Sequence, residues 1–94
     1  MSDIEDRVRE AIERIVDPET GMTFGDMNMI RDVKEQEEGV VKIDFVPSSP
    51  FCPIAFHLAR SIRDAAEKVE GVKRAFVYCR GHRREKEINE TVNR

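Results

Sequence analysis

Apolar positions first recur at helical steps: Ile4, Val8, Ala11, Ile12 and Ile15 share one face. Ser2, with Glu5 three residues on, has capping-box spacing. The pattern predicts a first helix running to about Val16. Asp17-Pro18-Glu19-Thr20-Gly21 stops it, because the residue before a proline is pushed out of the helical region and glycine suits a turn. A connector with Gly25 follows. Residues from about Asn28 to Gln36 suit a strand, and Val40 to Val46 alternates with Val41, Ile43 and Phe45 on one face. Glu38-Gly39 between them marks a hairpin turn.

Pro47 and Pro50 forbid further strand pairing, while Pro53 suits the first position of a new helix continuing to about Glu70. Its stripe Ala55, Leu58, Ala59, Ile62, Ala66 and Val69 faces the sheet, leaving Arg60, Arg63, Glu67 and Lys68 to water. Gly71 ends that helix, and Val72 to Cys79, rich in β-branched and aromatic residues, reads as a third strand. A last, weaker helix spans about His82 to Val92, with only Ile88 and Val92 as an apolar pair, free to fray or to dock on a partner. The expected fold is α/β of the α+β kind. Its order is α-β-β-α-β with a short C-terminal helix, and its small mixed sheet is covered by helices.

At 94 residues the chain is read as one domain spanning 1–94, large enough to hold a single core. Hydrophobic residues at 39% and charged residues at 37% exclude a disordered chain. A net charge of −3 and a pI near 5.4 leave no basic field for phosphates, so nucleic acid is not an expected partner. The acidic start Met1-Ser2-Asp3-Ile4-Glu5-Asp6 is unlike a secretion signal, and no apolar run approaches the ~20 residues of a spanning helix. No membrane is expected, and the expected location is the cytoplasm. There cysteines are kept reduced, so a disulfide between Cys52 and Cys79 is not the favoured reading.

Chemistry is best sought at Cys52, in the run Ser48-Ser49-Pro50-Phe51-Cys52-Pro53. A loop-to-helix junction offers free N–H groups and the positive end of a helix dipole, which would lower a thiol pKa and favour a nucleophile or metal ligand. The competing reading is an inert buried cysteine. Cys79 shares a strand face with Ala75 and Val77, which argues for core packing, yet Cys79-Arg80-Gly81-His82 has a C-x-x-H spacing that could hold a metal. His57, five residues past Cys52, is turned about 140° from it on a helix and reads as a surface residue. Asp17, Glu19 and Asp26 cluster around the first turn, where they orient a metal or thiol or only make turn hydrogen bonds. Met22, Met27 and Met29 read as core. No phosphate loop, Ser-His-Asp order or H-E-x-x-H motif is present.

Taken together, several segments resemble the iron–sulfur cluster assembly family that includes SufT, PaaD and the eukaryotic cytosolic iron–sulfur targeting factors. They are Asp17-Pro18-Glu19, Asp26-Met27-Asn28-Met29-Ile30, the proline-flanked Cys52 run, and Gly71-Val72 before the third strand. The resemblance implies a non-enzymatic carrier or targeting factor for iron–sulfur proteins. Cys52 would handle cluster or partner, and Asp17, Glu19 and Ser49 would support it. The implied partners are the assembly machinery and apo client proteins. Asn28 stands where the family has glycine, a replacement asparagine tolerates. The tail after Cys79 departs from the family's proline-tryptophan ending.

Clusters are commonly held by four thiolates, with histidine replacing some in Rieske-type centres, and this chain has two cysteines. Either a homodimer joins two copies of Cys52 with Cys79, His82 or small thiols, or the cluster binds transiently and is shared with a partner. The transient reading is preferred, with no tightly bound cofactor. Two alternatives share the motif: an accessory protein of an oxygenase complex, as PaaD is, and a thiol enzyme using Cys52, for which no base is evident.

Overall fold

The computed structural model describes residues 3–93; Ser2, and with it the expected capping box, lies outside them. The elements are α1 (Asp3–Glu13), β1 (Ile30–Glu37), β2 (Val40–Phe45), α2 (Ala55–Glu67), β3 (Arg74–Cys79) and α3 (Glu85–Val92). This is the expected α+β order. β1 pairs antiparallel with β2, and β2 pairs parallel with β3, giving a mixed sheet in the order β1-β2-β3. The hairpin turns at Gly39, whose φ of +80° favours glycine and where an added Cβ would sit 2.9 Å from the Gly71 carbonyl oxygen.

Period-two alternation sends Val41, Ile43 and Phe45 of β2 and Ala75, Val77 and Cys79 of β3 to one buried face. Val8 and Ile12 of α1, and Ala55, Leu58, Ala59, Ile62 and Ala66 of α2, pack in the same core. Each Val, Leu, Ile or Phe side chain among them contributes roughly 1.5–3 kcal/mol on burial. The opposite face carries the half-buried Lys42, Asp44, Phe76 and Tyr78 and, among the described residues, no helix.

The element ends differ from the pattern where local bonding wins. α1 stops at Glu13 because Ile15 and Val16 enter a stem: the Phe24 N–H donates to the Ile15 carbonyl, and Val16 bridges Thr23. β1 begins at Ile30, after Asn28 takes a left-handed φ of 57°, as asparagine permits. α2 begins at Ala55 rather than Pro53, which lies in a turn.

The C-terminal helix docks on the sheet of its own chain. Ile88 and Val92 are buried, and Asn89 and Asn93 pair with the outer edge of β3. The Val77 N–H donates to Asn93 Oδ1 and the Asn93 amide donates back to the Val77 carbonyl, both at 2.8 Å. Asn89 repeats this at Cys79, at 2.7 and 3.3 Å. Four helical residues rise about 6 Å and two strand residues about 6.6 Å, so the two carboxamides stand in register with alternate peptide groups. α3 thereby occupies the edge position of a missing fourth strand.

Candidate functional site

Cys52 is the shared corner of two successive turns. Its N–H donates to the Ser49 carbonyl at 3.1 Å, and its own carbonyl accepts the Ala55 N–H at 3.4 Å. Pro50 and Pro53 thus hold the second position of each turn, where a fixed φ is already correct. The Ser49 hydroxyl accepts the Phe51 N–H at 3.1 Å and tightens the first turn. Ser49 therefore shapes the loop that carries Cys52.

A second strap comes from the segment after β3. His82 is 8% exposed, and its Nε2 lies 2.9 Å from the Cys52 carbonyl oxygen. The Arg84 N–H donates to His82 Nδ1 at 2.9 Å, which leaves the ring hydrogen on Nε2 to donate to Cys52. The Arg83 N–H donates to the Pro50 carbonyl at 2.9 Å. Both ring nitrogens are committed, so His82 braces the loop and is not placed as a metal ligand. It lies far from Cys52 in sequence but against it in space.

The third part is the acidic turn. Phe24, fully buried, anchors its stem, the Asp17 N–H donates to the Met22 carbonyl at 2.8 Å, and Asp17 Oδ1 accepts the Glu19 N–H at 2.8 Å. Asp17 and Glu19 make the turn hydrogen bonds expected of such residues. They also reach Cys52: burial pushes the thiol up, the Ile54 N–H pulls it down, and the charges of Glu19 and Asp17 push it up again. The lowered pKa expected at a helix start is corrected here. The sulfur stands before an α2 whose first residues carry no side-chain cap, but desolvation and two carboxylates outweigh the one N–H it receives.

Cys79 is fully buried in the strand, its thiol raised to about 11 by burial first, then by Glu85 and Cys52, with Arg80 opposing. Core packing is its role. Both cysteines are free. Cys52, Cys79 and His82 do not converge on one point, and no group of three or more His, Cys, Asp or Glu side chains that could hold a metal occurs among the described residues. His57 is exposed, as its spacing implies, and Asp26 lies on the surface, its N–H bonded to the Thr23 hydroxyl. Of Met22, Met27 and Met29, Met29 is in the core, Met27 packs half-buried against it and Met22 is exposed.

Sequence reasoning missed the apolar rim. Val16, Met22 and Phe51 are 54%, 47% and 67% exposed, and they are the large hydrophobic side chains left in water among the described residues. Phe51 sits on the Cys52 loop, and Val16 and Met22 flank the acidic turn whose Asp17 and Glu19 act on Cys52. A proline-bounded Phe beside the cysteine was the available signal. No helix among the described residues is long and apolar enough to cross a membrane.

Fold and site define a small α+β domain presenting one loop thiol beside a carboxylate turn. Residues 5–77 match the family model described as iron-sulfur cluster assembly protein, and the chain belongs to that family. It is 38% identical over 85 residues to an uncharacterized protein of Methanocaldococcus jannaschii, covering 90% of both chains. It is also 27% identical over 70 residues to the Fe-S protein maturation auxiliary factor YitW of Bacillus subtilis, covering 74% of this chain and 69% of that one. A DUF59 domain of unknown function from Bacillus anthracis has the same fold, with a TM-score of 0.75 at 22% identity over 81% of this chain and 73% of the other. The matched span ends before His82 and α3, so the strap on the Cys52 loop lies outside it.

Proposed function

We propose that the chain is a cytoplasmic carrier or targeting factor that handles an iron–sulfur cluster transiently at Cys52 while docked on a partner, and is not an enzyme. The observation that carries this reading is a loop thiol that feels the charges of Glu19 and Asp17 and stands next to the exposed Phe51 of its own loop. Val16, Met22 and Phe51 form the kind of apolar anchor that protein contacts use. Asp17 and Glu19 oppose a bare thiolate yet favour an approaching cation, and iron bound to sulfur reverses the pKa balance by deprotonating the thiol. The cluster is cargo. Cys52 supplies one ligand of the four usually needed, Cys79 is buried in the sheet, and His82 is tied to backbone, so the remaining ligands come from the assembly machinery or an apo client.

A thiol enzyme fits less well. His82 is the imidazole against Cys52, and it donates to the carbonyl rather than standing at the sulfur.

The test is anaerobic transfer from a cluster-loaded scaffold to an apo client, followed by visible absorption. The wild-type chain speeds transfer, and both Cys52→Ser and Phe51→Ala lose most of that effect. A cluster that stays on the isolated chain through desalting, or full activity of Cys52→Ser, would overturn the reading. Native mass of the loaded chain separates partner sharing from a homodimer.

A further inference from the structure

Among the described residues no helix covers the outer face of the sheet, and its charges are arranged unlike those of an inert solvated face. α1 and α2 cover the inner face and α3 the β3 edge. On the outer face the register sets Lys34 directly opposite Lys42 and Asp32 directly opposite Asp44. Like charges facing across an antiparallel pair destabilise it, and exchanging one pair would have given two attractive contacts instead. Asp44 is taken by Arg80 at 3.5 Å, whereas Lys34, Lys42 and Arg74 have no carboxylate within ion-pair distance among the described residues. Beside them lies Phe76, half-buried, with the Arg74 guanidinium 5.0 Å from its centroid. Lys42 stands opposite Phe76 in the parallel register.

We infer that this end of the outer face docks an acidic segment of a partner polypeptide, its carboxylates on Lys34, Lys42 and Arg74 and an apolar side chain on Phe76. Charge complementarity selects the occupant. Lys42 and Arg74, neither of them paired with a carboxylate, lie beside Phe76, and Lys34 faces Lys42 on the next strand, so a short segment carrying carboxylates and an apolar side chain is complementary to this end. The surface lies at the starts of β2 and β3, whereas the Cys52 loop follows the end of β2, about a strand length away. A partner held here leaves the thiol open to a second protein. The inference stands independently of the role of Cys52.

The test is an NMR titration of the full chain at low salt with a synthetic peptide alternating glutamate and leucine. Amide shifts are expected at Lys34, Lys42, Arg74 and Phe76, with binding unchanged in Cys52→Ser. The double variant Lys42→Glu with Arg74→Glu should weaken binding by about tenfold or more. Should that variant fail to fold, Lys42→Gln with Arg74→Gln should still weaken it several-fold. Absence of binding, equal binding by a folded variant, shifts centred on the Cys52 loop, or tighter binding of single-stranded oligothymidylate than of the peptide would each overturn the proposal.

Discussion

His82 holds Cys52 by its carbonyl and not by its sulfur: Nε2 donates to the Cys52 oxygen at 2.9 Å while Nδ1 accepts the Arg84 N–H. One side chain thereby fastens the start of the C-terminal segment to the loop that carries the thiol. The arrangement makes the shape of the site depend on residues beyond the matched family span.

His82→Ala should therefore loosen the loop. It removes the acceptor of the Arg84 N–H and leaves the Cys52 carbonyl with one donor, and each lost bond costs about 0.5–1.5 kcal/mol. Chemical denaturation should show that loss, and alkylation of Cys52 followed by mass spectrometry should become faster than in the wild type. Unchanged alkylation would show that the turns alone hold the loop.

Cys52 itself should react slowly at neutral pH. Its thiol is buried and raised by burial and by Glu19 and Asp17, so the thiolate fraction is small and grows only above the ordinary value of 9.0. Glu19→Gln removes one raising charge without touching the turn's Asp17 hydrogen bond to the backbone. The pH profile of iodoacetamide labelling should move to lower pH in that variant.

Alkaline stability should report Cys79. Its folded value of about 11 lies above the ordinary 9.0, so its contribution is full below about pH 9 and is lost as the pH rises through about 11. Cys79→Ala lowers stability at every pH by opening a cavity, yet its stability should fall less between about pH 9 and 11 than that of the wild type. Denaturant midpoints across that range measure the difference in slope.

The carboxamide ladder predicts a local effect. Asn93→Leu keeps the bulk of the side chain and strips the Val77 N–H and C=O of their partners, at a cost of about 1–3 kcal/mol. Hydrogen exchange should accelerate at Val77, and at Cys79 in Asn89→Leu, more than at Ile43 in the centre of the sheet.

Much of the fold was legible because it follows from local period. Val41, Ile43 and Phe45 alternate, and Leu58, Ala59, Ile62 and Ala66 recur at helical steps, so the strands, the helices and their buried faces could be read directly. Boundaries shifted by a few residues where the stem at Val16 and Thr23 or the left-handed Asn28 overrode the pattern. The candidate cysteine was legible too, since two prolines in fixed spacing around it dictate a rigid loop.

What period cannot carry is contact across distant chain. Asn89 and Asn93 read as ordinary polar helix positions until a strand edge lies beside them. The direction of the Cys52 shift was misread for the same reason, because desolvation and the Glu19 and Asp17 charges come from tertiary neighbours, whereas the helix-start effect is local. The sequence by itself determined the elements, the core faces and the thiol in its proline-bounded loop, all products of short-range sterics and hydrophobic spacing. Only the tertiary structure decided that His82 braces that loop, that Cys79 is packing, and that the charges of an acidic turn act on Cys52, because each depends on which distant segments the buried core brings side by side.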